Sequence, residues 1–143
     1  MSPSAQILTT LRKSKHGVSG SDLCEMIGVS RAAIWAHIES LRNAGFEIIA
    51  SPHRGYELLG SPEKLVCEDL ESRIPENQII GRKVLVLDST TSTNDVAEKF
   101  ASEREPEGLV VFSESQTRGR GRMGRKWSSP GGKGLWFSIL LRP

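Results

Sequence analysis

The turn Gly28-Val29-Ser30-Arg31, set between two amphipathic helical patterns, most restricts what this chain can fold into. Before it, Leu23, Met26 and Ile27 recur at helical spacing, with Ser19 or Ser21 placed to cap the helix and Gly28 placed to end it. After it, Ser30 caps a helix running from Arg31 to about Asn43. Ile34, Ile38 and Leu41 form one apolar face of that helix, and Gly45 stops it. An earlier helix carries Ile7, Leu8 and Leu11 and ends near Lys15-His16-Gly17. Two short strands follow over 46–50 and 55–59, joined by Ser51-Pro52-His53-Arg54. Three helices with a tight turn between the last two, followed by a hairpin, predict a winged helix-turn-helix.

On that geometry the third helix is the DNA reader. Ser30 and Arg31 are placed to meet phosphates, and Ala32 or Ala33 to touch thymine methyls. His37, Arg42 and the wing residue Arg54 are further phosphate candidates. Trp35 lies on the same helix, where a polar or basic reader would be stronger. A three-helix dimerisation or protein-binding domain fits the same pattern, and residues 1–60 carry a net charge of only +1. Few phosphate contacts predict weak binding by one copy, and a dimer on two half-sites.

A length of 143 residues allows one ordinary domain or two small ones. The overall charge of +2 hides a segregation: residues 61–107 carry −5 and residues 108–143 carry +6. Anion binding is therefore expected in the C-terminal third. No apolar run reaches a membrane span, and the N-terminus lacks a signal-peptide pattern. Cys24 and Cys67 stand apart without metal-ligand spacing, which predicts reduced thiols in the cytoplasm and no metal site. Gly60-Ser61-Pro62 is the expected domain boundary. The expected division is a winged helix-turn-helix over 1–60, a linker with an acidic helix over 61–78, and an α+β segment over 79–143. The acidic helix is expected over 63–73, with Pro75 closing it. In the last segment, strands are expected at 83–87, 109–113 and 135–141, and a helix at 95–102.

Two loops of that segment carry chemistry. Ser92-Thr93-Asn94 offers groups that both donate and accept, suited to a neutral polar ring such as a ureido group. A plain helix N-cap explains the same three residues. The second loop, 119–127, packs four cations and three glycines into nine residues and closes on Trp127. Glycines permit close backbone approach, and guanidinium groups match carboxylate and phosphate oxygens. A solvated basic turn or a direct nucleic-acid contact are the other readings. Such a loop is expected to be disordered until a ligand orders it.

Ser92-Thr93-Asn94, Gln116, the run from Gly119 to Trp127, and Ser129-Pro130 together resemble biotin protein ligase. With the winged helix-turn-helix in front, the chain resembles the bifunctional bacterial kind that also represses the biotin operon. The resemblance implies an α+β fold in which the first part of a mixed ligase domain follows the DNA-binding domain. It implies that biotin and Mg-ATP form biotinoyl-5′-AMP, which an acceptor lysine of biotin carboxyl carrier protein then attacks. By motif matching, Ser92, Thr93, Asn94 and Gln116 would hold biotin. Gly119, Arg120, Gly121 and Arg122 would enclose carboxylate and phosphate, with Arg122 the catalytic candidate. Arg125 and Trp127 would face the nucleotide, and Thr117 and Met123 would act through backbone. Biotinoyl-5′-AMP would also be the corepressor, promoting a homodimer on a palindromic operator. In the family the ligase domain continues past the position of Pro143, through a lysine-bearing segment. The expectation is therefore that this chain alone is inactive as a ligase. A non-catalytic DNA-binding module stays open, as does a nucleic-acid binder that uses the basic loop.

Overall fold

In the computed structural model, which describes residues 1–75 and 77–143, the chain divides into two units, Met1–Arg73 and Ile74–Pro143. No helix among the described residues is long and apolar enough to cross a membrane.

In the first unit, three helices are each started by a serine. Helix α1 (Pro3–Lys13) has Ser2 accepting from the Ala5 amide, and α2 (Gly20–Ile27) has Ser19 accepting from Asp22. Helix α3 (Arg31–Asn43) has Ser30 accepting from Ala33 at 3.2 Å. Gly28 closes α2 in the left-handed region, as its position in the turn predicts. Ile7, Leu8, Leu23, Ile34, Ile38 and Leu41 are fully buried and form the core. Each such side chain contributes about 1.5–3 kcal/mol of burial. Met26, expected on the buried face of α2, is instead 66% exposed, because Leu23 alone of that helix is buried.

The wing is an antiparallel pair, β1 (Glu47–Ser51) and β2 (Gly55–Gly60). Val18 lengthens it by exchanging backbone hydrogen bonds of 2.9 and 2.8 Å with Tyr56. That crossing is why position 55 is glycine. Its φ is +72°, and a Cβ there would lie 2.2 Å from the Val18 carbonyl oxygen.

The acidic helix is shorter than the sequence predicts. Helix α4 spans only Cys67–Glu71 and has no side-chain cap, so nothing holds its first turn further back. It also packs within the first unit instead of linking the two. Asp69 pairs with Arg12 of α1, Ser2 donates to Glu71 at 2.8 Å, and Val66 joins the core. The expected break at 60/61 thus falls at Arg73 instead, and the expected linker is divided between the units.

The second unit is a three-stranded sheet in the order β3-β4-β5, with one helix packed on it. Strand β3 (Lys83–Leu87) pairs parallel to β4 (Leu109–Ser113), and α5 (Thr93–Ser102) makes the crossover that a parallel pair needs. Strand β5 (Trp136–Ile139) returns antiparallel to β4, with Phe112 opposite Phe137. It is shorter than the expected 135–141, and its burial alternates residue by residue. Leu109, Val111 and Ala97 form the core, with Leu85, Val96 and Phe100 against them. Helix α5 starts at Thr93, two residues earlier than predicted, because Ser92 is the cap and its Oγ accepts from the Asn94 amide. The loops after β3 and β4 both leave from the carboxyl ends of parallel strands, where open sheets of this kind leave a crevice.

Candidate functional site

The loop after β3 turns into α5 and places Thr93 and Asn94 on its first turn. Gln116, on the loop after β4, reaches across to them. Its Oε1 accepts from the Thr93 backbone N–H at 2.8 Å and from the Thr93 hydroxyl at 3.2 Å. Its Nε2 donates to Ser129 Oγ at 2.9 Å. Ser138 of β5 completes the cluster, 2.8 Å from Thr93 Oγ1 and donating to Asn94 Oδ1 at 2.5 Å. Thr93 is 3% exposed and Ser129 4% exposed, so these groups are ordered by one another instead of by bulk water. The amide of Gln116 keeps a second N–H beyond the one given to Ser129, and Asn94 is exposed. The network therefore offers a cavity both donors and acceptors at fixed positions.

The basic loop is folded back on itself. Trp127 N–H donates to the Gly119 carbonyl at 2.8 Å, and Gly121 N–H to the Arg125 carbonyl at 2.7 Å. The tip, Arg122–Gly124, is a single 3-10 turn in which Met123 adopts φ +59°. Gly119 is buried at the neck, where a Cβ would stand 2.6 Å from the Trp127 carbonyl oxygen and 2.8 Å from Ser129 Oγ. The expected disorder is thus not what the structure gives. Backbone bonds across the hairpin hold it, in spite of its like charges.

Thr93, Asn94 and Gln116 form one side of a cavity of about 280 Å³, and Arg120 and Trp127 another. Leu135, Trp136 and Phe137 supply the apolar side, and Ser138 adds its hydroxyl. The volume lies at the small end for an organic ligand. Arg120 forms an ion pair with Asp95 on the first turn of α5. The other predicted residues stand elsewhere. Ser92 is buried as the helix cap, and Thr117 is tied through its amide to the Thr90 carbonyl at 2.9 Å. Arg122 and Arg125 are exposed near the loop tip and do not line the cavity, and Met123 is 94% exposed.

Sequence reasoning missed Asp95, Ser138 and the cavity wall at 135–137. Ser138 carried a signal, a lone hydroxyl inside the apolar run 135–141. Asp95 reads from sequence as an ordinary acidic residue in a first helical turn.

In the first unit a groove of about 750 Å³ runs between the starts of α2 and α3 and the wing turn. Arg31 and Arg54 both line it, joined by His16 and His53, which the sequence placed only in turns. Arg31 donates to Ser21 Oγ at 2.7 Å. Ser30, Ala32 and Trp35 are exposed on α3, and Ala33 is half-buried. His37 and Arg42, the other two phosphate candidates, bond within the domain and do not line this groove. His37 Nδ1 is 3.0 Å from Ser4 Oγ of α1. Arg42 Nε donates to the Ile48 carbonyl at 2.8 Å while pairing with Glu39.

Residues 4–57 match the HTH domain family, and residues 86–143 match the biotin/lipoate A/B protein ligase family. Bifunctional ligase/repressor BirA of Bacillus spizizenii is 38% identical over 126 residues, covering 88% of this chain and 38% of that protein. The protein of the same name from Escherichia coli is 39% identical over 124 residues, covering 87% of this chain and 37% of that protein. The probable transcription repressor NiaR of Thermotoga maritima is 46% identical over 54 residues, covering 38% of this chain and 30% of that protein. The chain thus spans 38% or less of the length of each of these relatives. With a segment matching the HTH domain family, a segment matching the biotin/lipoate A/B protein ligase family behind it, and this likeness along most of its length, the chain is similar to one part of the bifunctional ligase/repressor proteins.

Proposed function

We propose that this chain carries the DNA-binding domain and the biotin-recognition segment of a biotin protein ligase that also represses transcription. The observation that carries the reading is the convergence of Thr93, Asn94, Gln116, Arg120 and Trp127 on one cavity from two separate loops. Thr93, Asn94 and Gln116 would hold the ureido ring, with Ser92 fixing the start of α5. The apolar wall at 135–137 would take the hydrocarbon part. Arg120 would meet the carboxylate, with Gly119 and Gly121 letting the backbone of the loop approach it.

In the reaction of the whole protein, the biotin carboxylate oxygen attacks the α-phosphorus of ATP, and the bond to the β-phosphate oxygen breaks. Pyrophosphate leaves and biotinoyl-5′-AMP remains. The amine of a carrier-protein lysine then attacks the acyl carbon, loses a proton and expels AMP. Two anions must approach each other in the first step. A guanidinium between them lowers that barrier, a role proposed for Arg122 with Arg125 and Trp127 toward the nucleotide. Arg122 is exposed on a short turn and would reach the phosphate by movement of the loop tip. No group of three His, Cys, Asp or Glu side chains among the described residues converges on a metal position. Mg2+ is accordingly proposed only as the companion of the triphosphate, whose charge it would neutralise.

Arg31 and Arg54 would grip operator phosphates from one groove, with Ser30, Ala32, Ala33 and Trp35 presented by α3. A ligand-linked homodimer on a palindromic operator, biotin carboxyl carrier protein as acceptor, and a cytoplasmic location complete the proposal. Titration calorimetry with biotin tests it: saturable binding that Gln116→Ala weakens about tenfold or more is expected. Absence of saturable binding sinks the biotin assignment. Labelled ATP then separates the two remaining readings. Adenylate formation supports ligase chemistry in this chain, and operator binding without adenylate supports a DNA-binding module.

A further inference from the structure

The ion pair between Arg120 and Asp95 has no place in the proposed chemistry, yet Arg120 lines the cavity and Asp95 follows the two helix residues, Thr93 and Asn94, that line it too. Among the described residues, Arg120 is the only one of the four cations in loop 119–127 that forms an ion pair. Its partner lies on the first turn of α5, the turn that also presents Thr93 and Asn94. The Asp95 carboxylate is itself steered. One oxygen pairs with the Arg120 guanidinium, and the other accepts from Thr91 Oγ1 at 3.2 Å. Among the described residues, the rest of the loop is held by its own hairpin bonds, and its neck is tied to the strand-end loops through Arg118 N–H to the Thr91 carbonyl at 2.8 Å. Beyond that neck, the Asp95 contact is, among the described residues, the side-chain hydrogen bond that joins the basic hairpin to α5.

We propose that Asp95 is a positioning residue that tethers the basic hairpin to α5 and so holds the Arg120 guanidinium over the cavity. An arginine presents five N–H donors in a planar fork. With one edge on Asp95, the remaining donors stay directed to an incoming carboxylate. Without Asp95, the side chain regains its rotamers, and the cavity loses a placed cation although it gains net positive charge. Both partners are partly exposed, so the tether is weak by itself and suited to a loop that must also move.

The tether stands on this ion pair and needs no assumption about the ligand. Its first test therefore uses the ligand-free chain. Trypsin cuts after Arg120, Arg122, Arg125 and Lys126, so cleavage within 119–127 reports how often the hairpin lifts. Asp95→Asn should be cut about two- to fivefold faster, the range that an exposed pair supports. Asp95→Glu should restore slow cutting, and Glu98→Gln, an equal charge change on the same helix, should leave it slow. Equal cutting of Asp95→Asn and wild type, or equally fast cutting of Glu98→Gln, overturns the tether. The second test compares biotin with its neutral amide. Asp95→Asn should weaken biotin two- to fivefold and leave the amide within experimental error. Tighter binding of biotin by Asp95→Asn would mean that Asp95 competes with the ligand, and would overturn the positioning role. If wild type binds neither compound, the biotin reading fails and the protease result decides the tether by itself.

Discussion

Thr93→Val tests whether the cavity is built by the hydroxyl network. The two residues are nearly the same shape, so the substitution removes an oxygen and little else. Thr93 Oγ1 lies 2.8 Å from Ser138 Oγ and 3.2 Å from Gln116 Oε1, and Ser138 donates onward to Asn94. Two hydroxyl protons thus serve three contacts, and Thr93 counts as about one net bond, worth roughly 1 kcal/mol. Gln116 Oε1 keeps the Thr93 backbone N–H at 2.8 Å, so only Ser138 Oγ loses a partner, and it keeps its bond to Asn94. Ser138 is half-buried, which limits that further cost to a fraction of the full desolvation penalty. The sum is about 1.5 kcal/mol, which for a unit of this size lowers the midpoint by roughly 6–12 °C. Tryptophan fluorescence in a Trp35→Phe background reads this unit alone, since Trp127 and Trp136 then remain. Thr93→Ser keeps the hydroxyl and should unfold close to wild type. A Thr93→Val midpoint within 2 °C of wild type, on the scale set by size, would refute the network, and so would a serine variant as unstable as the valine one.

Arg31→Ala and Arg54→Ala should each reduce the slope of log affinity against log salt for operator DNA by about 1, with little change in stability. Arg42→Ala should instead destabilise the first unit by about 1–2 kcal/mol in urea unfolding, because the Ile48 carbonyl loses its donor. Gly55→Ala should cost about 1–3 kcal/mol, and more if the wing cannot shift, since φ is +72° and the Val18 carbonyl occupies the space. Circular dichroism melting checks it, and a wild-type midpoint would show that Val18 does not cross the wing there. The Cys67 thiol is pushed up to about 12 from 9.0 by burial and by the charges of Glu71 and Glu68. At pH 8 its alkylation should run about a thousandfold slower in the folded chain than in urea, because that is the ratio of thiolate populations. A thiol whose folded pKa is raised favours the native state below the unfolded value. This contribution to stability is therefore present below pH 9.0 and is lost as pH rises toward about 12.

How much of this was legible in the sequence follows from what each signal depends on. The three capped helices of the first unit were readable because serine caps, apolar spacing and Gly28 act within a few residues of one another. Strands β3 and β4 fell where predicted, because five-residue apolar runs bounded by polar turns leave little choice. Helix α4 did not, because its register depends on Arg12 and Ser2, more than fifty residues away. The pairing of Ser92-Thr93-Asn94 with Gln116 was proposed from the motif, but the sequence could not sort those residues by task. Folding assigns Ser92 to the cap, Thr93 and Asn94 to the cavity, and Gln116 to joining the two loops.

By itself, then, the sequence determined the local order of elements, the glycine-rich basic loop and the polar turn before α5, since these follow from backbone propensity and short-range hydrogen bonds. Only the tertiary structure decided where each cation stands and what it meets. Arg120 lines the cavity and pairs with Asp95, Arg122 is carried outward on a turn, and Arg42 of the first unit donates to the Ile48 carbonyl. Such choices depend on partners distant in sequence, and the charge of a residue alone does not say which carboxylate, carbonyl or ligand it will meet.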